Sequence, residues 1–372
     1  MQVRKVNLQD PKDIDRFIDF PFQLYHNHPY WVPPIRNEIK FILDRNRHPF
    51  YEHSDAEFFI AVDGSKTLGR LGAINNNRYN EFNQTKTAFF YYFEAINSED
   101  VSMALFEQAF QWARNQGLQD VYGPKGPLQG DSIGILVDGF DYLPAMGIAY
   151  NFPYYDKLIK SSGFEKEFDY YSARLTFIDD VSEKVKRISE KVKKRSGFTV
   201  KNFRSKEELL SITEELRQVY NLAFGGSEGF SPITKAEIKV IAERLTSIAD
   251  PRLIKMVYKN DQIIGFLFAY PNISKGLQRA NGKLFPFGWF HIWRAFKTTR
   301  HMDANGIGIH PDYQGLGATA VLYTELAESM KEFNFEHVET VQTREDNLAS
   351  LGESSHFESE WYKTHRVYRK TL

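Results

Sequence analysis

The sequence contains no cysteine, has no excess of either charge and has no long apolar run. Without cysteine, disulfide scaffolds, thiolate zinc sites, iron–sulfur clusters and cysteine nucleophiles are excluded. Lys and Arg number 47 and Asp and Glu number 48, which argues against a nucleic-acid-binding protein with a broad basic field. The longest apolar passage, residues 284–296, is shorter than the ~20 residues that span a bilayer. We therefore expect a soluble, cytoplasmic protein with no nucleic-acid partner, no stable membrane insertion and no metal site.

The length and the order of the predicted elements indicate two similar halves. The 372 residues exceed one ordinary domain of ~150 residues, and 42% of them are hydrophobic, enough to fill two cores. Each half carries a strand pair around a short turn, Asp63-Gly64 and Asn260-Asp261, followed by a further strand and an amphipathic helix. We predict one module at residues 1–178, a charged connecting helix at 179–196 and a second module at 197–372, which contains an insertion at 272–300.

The sharpest local signal is a glycine turn between a predicted strand at residues 302–309 and a helix at 317–333. Gly315 and Gly317 let the backbone approach a ligand closely, and amides at a helix N-terminus bind anions such as a diphosphate. The spacing also fits a dinucleotide-binding fingerprint, with Glu339 as the ribose-binding acid. That alternative fails because too little chain follows the turn to build the remaining parallel sheet.

This turn resembles the signature of the GNAT superfamily of acyl-CoA-dependent N-acyltransferases. The matching residues are His310-Pro311-Asp312-Tyr313 followed by Gln314-x-x-Gly317-x-Thr319, where Thr319 departs from the usual small residue. The resemblance extends over residues 197–370. The whole chain is also similar to an uncharacterised bacterial group of two-module GNAT-like proteins, on phrases such as Trp31-Val32-Pro33-Pro34 and Phe285-Pro286-Phe287-Gly288.

The resemblance implies an α+β fold of tandem modules, each a mixed, mostly antiparallel sheet flanked by helices. It implies acetyl-CoA or another acyl-CoA as cosubstrate, bound by the second module. The first module has no glycine turn at residues 93–98 and is expected to be degenerate. The cofactor-binding positions implied by the resemblance are Gly308, Ile309, Gln314, Gly315, Leu316, Gly317, Ala318, Thr319 and Asn347.

The base and the acid of the reaction are less defined by the sequence. A glutamate often serves as the base in this superfamily, and Glu228 is the first candidate here, ahead of Asp303 and His310. The tyrosine that commonly serves as the acid is replaced by Ser354 in a shortened segment at residues 348–357. The substitutes considered for that acid are Tyr362, Tyr368 and Tyr323.

The insertion at 272–300 is rich in aromatic side chains. We expect Phe285, Phe287, Trp289, Phe290 and Trp293 to pack under the first module. Lining of a tunnel for a hydrophobic chain is an alternative, as is a membrane-surface contact with Arg294, Lys297 and Arg300 at the headgroups.

The leading hypothesis is transfer of an acyl group, with acetyl expected, to a small-molecule or peptide amine. The alternatives are a transferase that uses aminoacyl-tRNA and a non-catalytic protein that binds acyl-CoA.

Overall fold

The computed structural model describes residues 1–176, 183–227, 229–347 and 359–372. Its strands, in chain order, are β1 (Gln2–Lys5), β2 (Asp55–Asp63), β3 (Lys66–Asn75), β4 (Thr87–Ala95), β5 (Asp120–Gly123), β6 (Ile135–Asp138), β7 (Glu165–Thr176), β8 (Thr199–Asn202), β9 (Lys255–Lys259), β10 (Gln262–Pro271), β11 (His301–Ile309), β12 (His337–Arg344) and β13 (Ser359–Thr371). Its α-helices are α1 (Pro11–Leu24), α2 (Arg36–Leu43), α3 (Asn77–Asn83), α4 (Glu99–Asn115), α5 (Tyr155–Ser161), α6 (Glu183–Ser196), α7 (Lys206–Ser211), α8 (Thr213–Phe224), α9 (Lys235–Ile248), α10 (Ser274–Ala280), α11 (Gly288–Thr298) and α12 (Ala318–Glu332).

The chain divides into two compact units, and the division is not the simple cut near residue 180 that the sequence suggested. Unit 1 comprises Met1–Tyr171, Ile273–Ala295 and Tyr362–Leu372, and unit 2 comprises Ser172–Asn272 and Phe296–Trp361. Most of the last strand, from residue 362 onward, belongs to unit 1, where β13 pairs antiparallel with β5 and β6. The predicted connecting helix is α6, in unit 2.

Unit 1 is built on a mixed sheet in the order β1-β2-β3-β4-β5-β13-β7, in which β4 and β5 are parallel. Helix α4 packs on β2 and β3 and begins after Ser98, whose side chain accepts a hydrogen bond from Val101 N–H. Its apolar face is buried because Leu105, Ala109 and their neighbours recur at helical spacing.

Unit 2 repeats this arrangement on a sheet in the order β7-β12-β11-β10-β9-β8, in which β11 and β12 are parallel. Asn260 and Asp261 both have positive φ, which makes the predicted tight turn between β9 and β10. Helix α12 buries Val321, Leu322 and Leu326 against one face of this sheet, and α8 packs on the other. The predicted tandem α+β fold is confirmed.

The insertion forms α10 and α11, and the expected packing of its aromatic side chains is wrong. Phe285 is 78% exposed and Phe287 69%, and Trp289, Phe290 and Trp293 are exposed as well. The small side of α11 makes the contact instead: a methyl group on Gly276 of α10 would lie 2.8 Å from Cβ of Ala295. The bulky side chains therefore point away from that contact. Within the described residues, no helix is both long and apolar enough to cross a membrane.

Candidate functional site

Strand β11 is interrupted at the centre of unit 2. It pairs antiparallel with β10 at Gly265–Ile309, Phe266–Gly308 and Leu267–Ile307, and the register then shifts so that Ala269 pairs with Ala304. Asn305 and Gly306 fall in this β-bulge, and Gly306 has φ +121°. Bulges bend a strand and increase its twist, so the two halves of β11 are aimed differently.

The bulge coincides with the end of pairing between the two parallel strands. The register of β11 with β12 runs from His301–His337 to Ala304–Thr340, whereas β11 continues to Ile309 and β12 to Arg344. The edge of β11 after residue 304 is therefore not paired with β12 in the described register. Such an edge offers N–H and C=O groups to an extended ligand chain.

The glycine turn follows this open edge directly. Residues Pro311–Tyr313 form a 3₁₀ turn, and the side chain of Gln314 donates a hydrogen bond to Ile309 O at 3.2 Å. Gly315 and Gly317 have φ of +73° and +89°, which favour glycine. Gln314 thus fixes the turn to the end of the strand.

Helix α12 begins with bare amides. Gly317 is its N-cap and offers no side-chain hydrogen bond, and its first turn contains no acidic residue. The hydrogen bond from Val321 N–H to Gly317 O at 3.3 Å closes the first turn, so the amides of Ala318, Thr319 and Ala320 lie ahead of it. Together with the helix dipole, these amides form an anion-binding end.

The two glycines of the turn have different surroundings. A methyl group on Gly315 would meet no atom within 4 Å, whereas one on Gly317 would lie 2.7 Å from Cγ2 of Val192 in α6. Gly317 therefore serves the close packing of α6, and the turn is open on the Gly315 side. Lys191, Lys194 and Arg195 flank Val192 on the same helix, which adds positive charge to it.

A buried polar group lies on one face of β11, before the bulge. Asp303, a candidate base, is 1% exposed, and its two oxygens accept hydrogen bonds from Asn272 Nδ2 at 2.9 and 3.1 Å. Tyr270 pairs with Asp303 in the register, and its hydroxyl accepts a hydrogen bond from Asn305. Burial, and next the Asp303 carboxylate, raise the pKa of Tyr270 above its ordinary value.

An aromatic layer continues this face toward the end of β11. The ring of Tyr220 in α8 stacks on Phe266 with centroids 5.6 Å apart, and a methyl group on Gly308 would lie 2.5 Å from Cζ of Phe266. Burial raises the pKa of Tyr220 to about 12, so its phenol is neutral at pH 7. Tyr220 and Tyr270 were missed in the sequence because an aromatic residue at helical or strand spacing looks like core.

The sequence-based catalytic candidates are distributed over both units. Glu228 and Ser354 lie outside the described residues. Tyr368 belongs to unit 1, where it is fully buried and donates a hydrogen bond to Asp156 Oδ1 at 2.6 Å. Its pKa is raised well above the ordinary value by burial and next by this hydrogen bond. Tyr362, also in unit 1, lies edge-on to Tyr142 with centroids 4.7 Å apart.

The remaining candidates lie in unit 2. Nδ1 of His310 accepts a hydrogen bond from Asp312 N–H at 3.2 Å, so the imidazole caps the 3₁₀ turn. Tyr323 packs against the core under α12. Asn347 is exposed, and its backbone N–H donates a hydrogen bond to Arg344 O at 3.0 Å.

The geometry of unit 2 fits the diphosphate and the extended arm of coenzyme A. The open turn at Gly315 and the uncapped start of α12 suit the diphosphate. The strand edge after residue 304 suits an extended chain that carries amides. None of these contacts depends on an acidic side chain, which would repel the ligand.

Comparisons with known proteins agree with this geometry. Residues 213–352 match the family described as acetyltransferase (GNAT) family. Over 372 residues, the chain is 26% identical to Protein YghO from Escherichia coli (strain K12), covering 97% of this chain and 93% of that protein. Over 381 residues, it is 26% identical to the bacterial ceramide synthase of Caulobacter vibrioides (strain NA1000 / CB15N), covering 99% of this chain and 97% of that protein.

Among solved structures, the chain is similar to a tandem GNAT protein from the clavulanic acid biosynthesis pathway. The TM-score is 0.54 at 10% identity, and the match covers 100% of this chain and 98% of that one. This chain therefore contains a GNAT-family domain and has the fold of tandem GNAT proteins. The resemblance drawn from the glycine turn is confirmed.

Proposed function

We propose that the protein is an acyl-CoA-dependent N-acyltransferase whose second unit binds the cosubstrate. The observation that carries the proposal is the conjunction of an uncapped helix start, an open glycine turn and an unpaired strand edge in one stretch of chain, residues 305–320. Amides from Gln314 to Thr319 would hold the diphosphate, and the edge from Gly306 to Ile309 would pair with the pantetheine arm. A thioester bound there supplies the acyl group, and the acceptor amine replaces the thiol at its carbonyl carbon.

The reaction needs a neutral amine and a proton for the departing thiolate. Glu228 is the proposed base, and Tyr362 and Tyr368 are the proposed acids, on residue type and position in the sequence. Tyr220 joins them as an acid candidate within unit 2, because its ring stacks on Phe266, which pairs with Gly308 near the end of β11. Asp303 is better suited to positioning β11 than to proton transfer, because it is buried and held by Asn272.

The acyl group and the acceptor are proposed to be longer than the acetyl group and small amine first expected. A relative that aligns over 99% of this chain is named a ceramide synthase, and a ceramide is an amide of a fatty acid with a long-chain amino alcohol. A long-chain amine is therefore the first acceptor class to examine, ahead of peptides and short amines.

Calorimetric titration of the full chain with coenzyme A, acetyl-CoA and a long-chain acyl-CoA tests cosubstrate binding. Pantetheine, which lacks the diphosphate, is the matched control ligand and should bind at least about tenfold more weakly, a difference of ~1.4 kcal/mol. No binding of any coenzyme A thioester at millimolar concentration would overturn the proposal.

Thiol release in the presence of amines then tests transfer. Release that depends on a long-chain amine, with formation of the amide, is the expected result. Binding without release across short, long-chain and peptide amines would favour the non-catalytic alternative. Transfer from aminoacyl-tRNA in the absence of coenzyme A would favour the tRNA-dependent alternative.

A further inference from the structure

The insertion presents an aromatic surface that its own fold leaves uncovered. This surface, called here the aromatic face, consists of Leu284, Phe285, Phe287, Trp289, Phe290 and Trp293, all exposed. Single exposed apolar side chains are common in proteins, but a contiguous set of this size marks an interaction site.

The aromatic face is held in a defined shape. Trp289 N–H donates to Leu284 O at 2.8 Å, and the Trp289 indole N–H donates to Pro286 O at 3.0 Å. The rings of Phe290 and Trp293 are stacked with centroids 5.9 Å apart. Because the indole nitrogen is bonded within the segment, the rings can leave water without stranding that polar group.

The helices that carry the aromatic face are attached to unit 1. Gln278 donates hydrogen bonds to the carbonyls of Pro29 and Trp31 at 2.9 and 3.0 Å. Ser274 donates to Pro144 O at 2.9 Å, and Gly282 O accepts from Arg36 N–H at 3.1 Å. Because these hydrogen bonds anchor the aromatic face, a partner that binds the face also holds unit 1.

The stretch of chain that carries the aromatic face has charge of one sign. Residues 262–302 contain six Lys and Arg and no Asp or Glu, whereas the whole chain is nearly balanced at 47 and 48. Lys275, Arg279, Lys283 and Arg294 are all exposed. An aromatic surface with exposed basic side chains on the same segment favours a partner that combines an apolar layer with negatively charged groups.

We propose that the aromatic face docks the protein onto the surface of an anionic phospholipid bilayer. Phe and Trp side chains are favoured at the boundary between headgroups and acyl chains, and Lys and Arg are attracted to anionic headgroups. Helix α11, Gly288–Thr298, is shorter than the ~20 residues that a helix needs to cross a bilayer, so we place the contact at the membrane surface.

Co-flotation of the full chain with lipid vesicles tests the proposal. Vesicles of phosphatidylcholine with about one third phosphatidylglycerol should bind the protein, and pure phosphatidylcholine vesicles should bind it less. The double variant Phe285→Ser/Phe287→Ser should reduce the bound fraction at least about fivefold, because each change removes an exposed ring from the docking surface. These residues contribute nothing to a buried core, so far-UV circular dichroism and the melting temperature should stay unchanged.

Two further variants define the result. Lys283→Glu/Arg294→Glu should weaken binding to anionic vesicles while leaving the weak binding to neutral vesicles unchanged. Phe82→Ser, which changes an exposed ring of α3, is the matched control and should bind as the wild type does. Failure of the wild type to bind anionic vesicles, or equal binding by the Phe285/Phe287 variant, overturns the proposal. Light scattering that shows a dimer dissolved by Phe285→Ser/Phe287→Ser would assign the face to a protein interface instead.

Discussion

The strand–helix–strand segments β4–α4–β5 in unit 1 and β11–α12–β12 in unit 2 share one backbone plan and differ in what their helix starts offer. In both, a parallel pairing ends early: at Phe89–Tyr122 in unit 1 and at Ala304–Thr340 in unit 2. In both, the antiparallel neighbour shifts register beside it. The helix of unit 1, however, begins with Ser98, Glu99 and Asp100, so its amides and dipole are already neutralised.

The strand end of unit 1 is closed as well. Lys125 N–H donates to Phe90 O at 2.9 Å just beyond the parallel pairing. The Glu94 carboxylate accepts hydrogen bonds from Tyr25 and Tyr155 at 2.7 and 2.6 Å, and Arg70 lies 3.9 Å away. Burial raises the pKa of Glu94 and lowers that of Arg70. A buried carboxyl group thus occupies in unit 1 the register position that Gly308 occupies in unit 2.

The largest effect expected from this comparison is a difference in acid sensitivity. His365 of β13 is fully buried in unit 1, and burial lowers its pKa from 6.5 to about 4. Burial favours the neutral ring in the folded state, although the hydrogen bond from Nε2–H to Ala149 O at 3.2 Å acts in the opposite direction. The described histidines of unit 2, His301, His310 and His337, are exposed or half-buried.

The sign follows from the lowered pKa of His365. The contribution to stability is complete above pH 6.5 and is lost as the pH falls toward 4, because the unfolded chain binds the proton first. The loss amounts to about 3 kcal/mol of the free energy of unfolding. Hydrogen exchange from pH 7 to 4 should show loss of amide protection in unit 1 ahead of unit 2.

Replacing His365 provides the control for this acid effect. His365→Leu should flatten the dependence of stability on pH, whereas His26→Asn, at an exposed position of unit 1, should leave it unchanged. Equal slopes in the wild type and the Leu variant would mean that His365 does not carry the effect.

The next effect concerns glycines next to the two corresponding helices, α4 in unit 1 and α12 in unit 2. Gly117 after α4 and Gly315 before α12 have φ of +74° and +73°, and a methyl group on either would meet no atom within 4 Å. Gly117→Ala and Gly315→Ala should each cost about 1 kcal/mol of unfolding free energy, from backbone strain alone. Gly317→Ala should cost about 1–2 kcal/mol more, because of the contact with Val192.

A double-mutant cycle in urea separates the two contributions at Gly317. Val192→Ala in the Gly317→Ala background should recover the contact part, with a coupling energy of about 1 kcal/mol. Additive effects of the two changes would show that α6 does not press on the turn.

The parts of this comparison that could be predicted from the sequence are those encoded by neighbouring residues. The turns at Asn260-Asp261 and at Gly315 depend on local φ preferences, and the repeat of elements depends on local periodicity. The return of residues 362–372 to unit 1 could not be predicted, because strand pairing over such a separation has no local pattern. The exposure of Phe285 and Phe287 could not be predicted for a related reason. A sequence shows that a helix face is apolar, but it does not show whether another part of the chain packs against that face.

The same limit applies to the candidate site. The glycine turn was found because a ligand-binding backbone needs residue types with small side chains and open amides. The burial of Asp303, the approach of Val192 and the raised pKa of Tyr220 arise from contacts between elements that are distant in the sequence.

The change with the smallest expected effect on stability is the most direct test of the comparison, because it gives unit 2 the charge that unit 1 has. Thr319 is half-buried in the first turn of α12, the position at which α4 carries its acidic residues. Thr319→Glu should lower the affinity for coenzyme A at least about tenfold, or ~1.4 kcal/mol, since a carboxylate there repels a diphosphate. Protein stability should be unchanged or slightly higher, because the same carboxylate interacts favourably with the helix dipole.

Thr319→Gln is the matched control, since it has the size of Glu without its charge. Calorimetric titration at low and high salt should show a loss of affinity confined to the Glu variant and reduced by salt, because the repulsion is screened. An equal loss in both variants would make the effect steric, and no loss in either would place the diphosphate elsewhere. In the expected case, the charge at the first helical turn, and not the shared backbone plan, distinguishes the unit proposed to bind coenzyme A from unit 1.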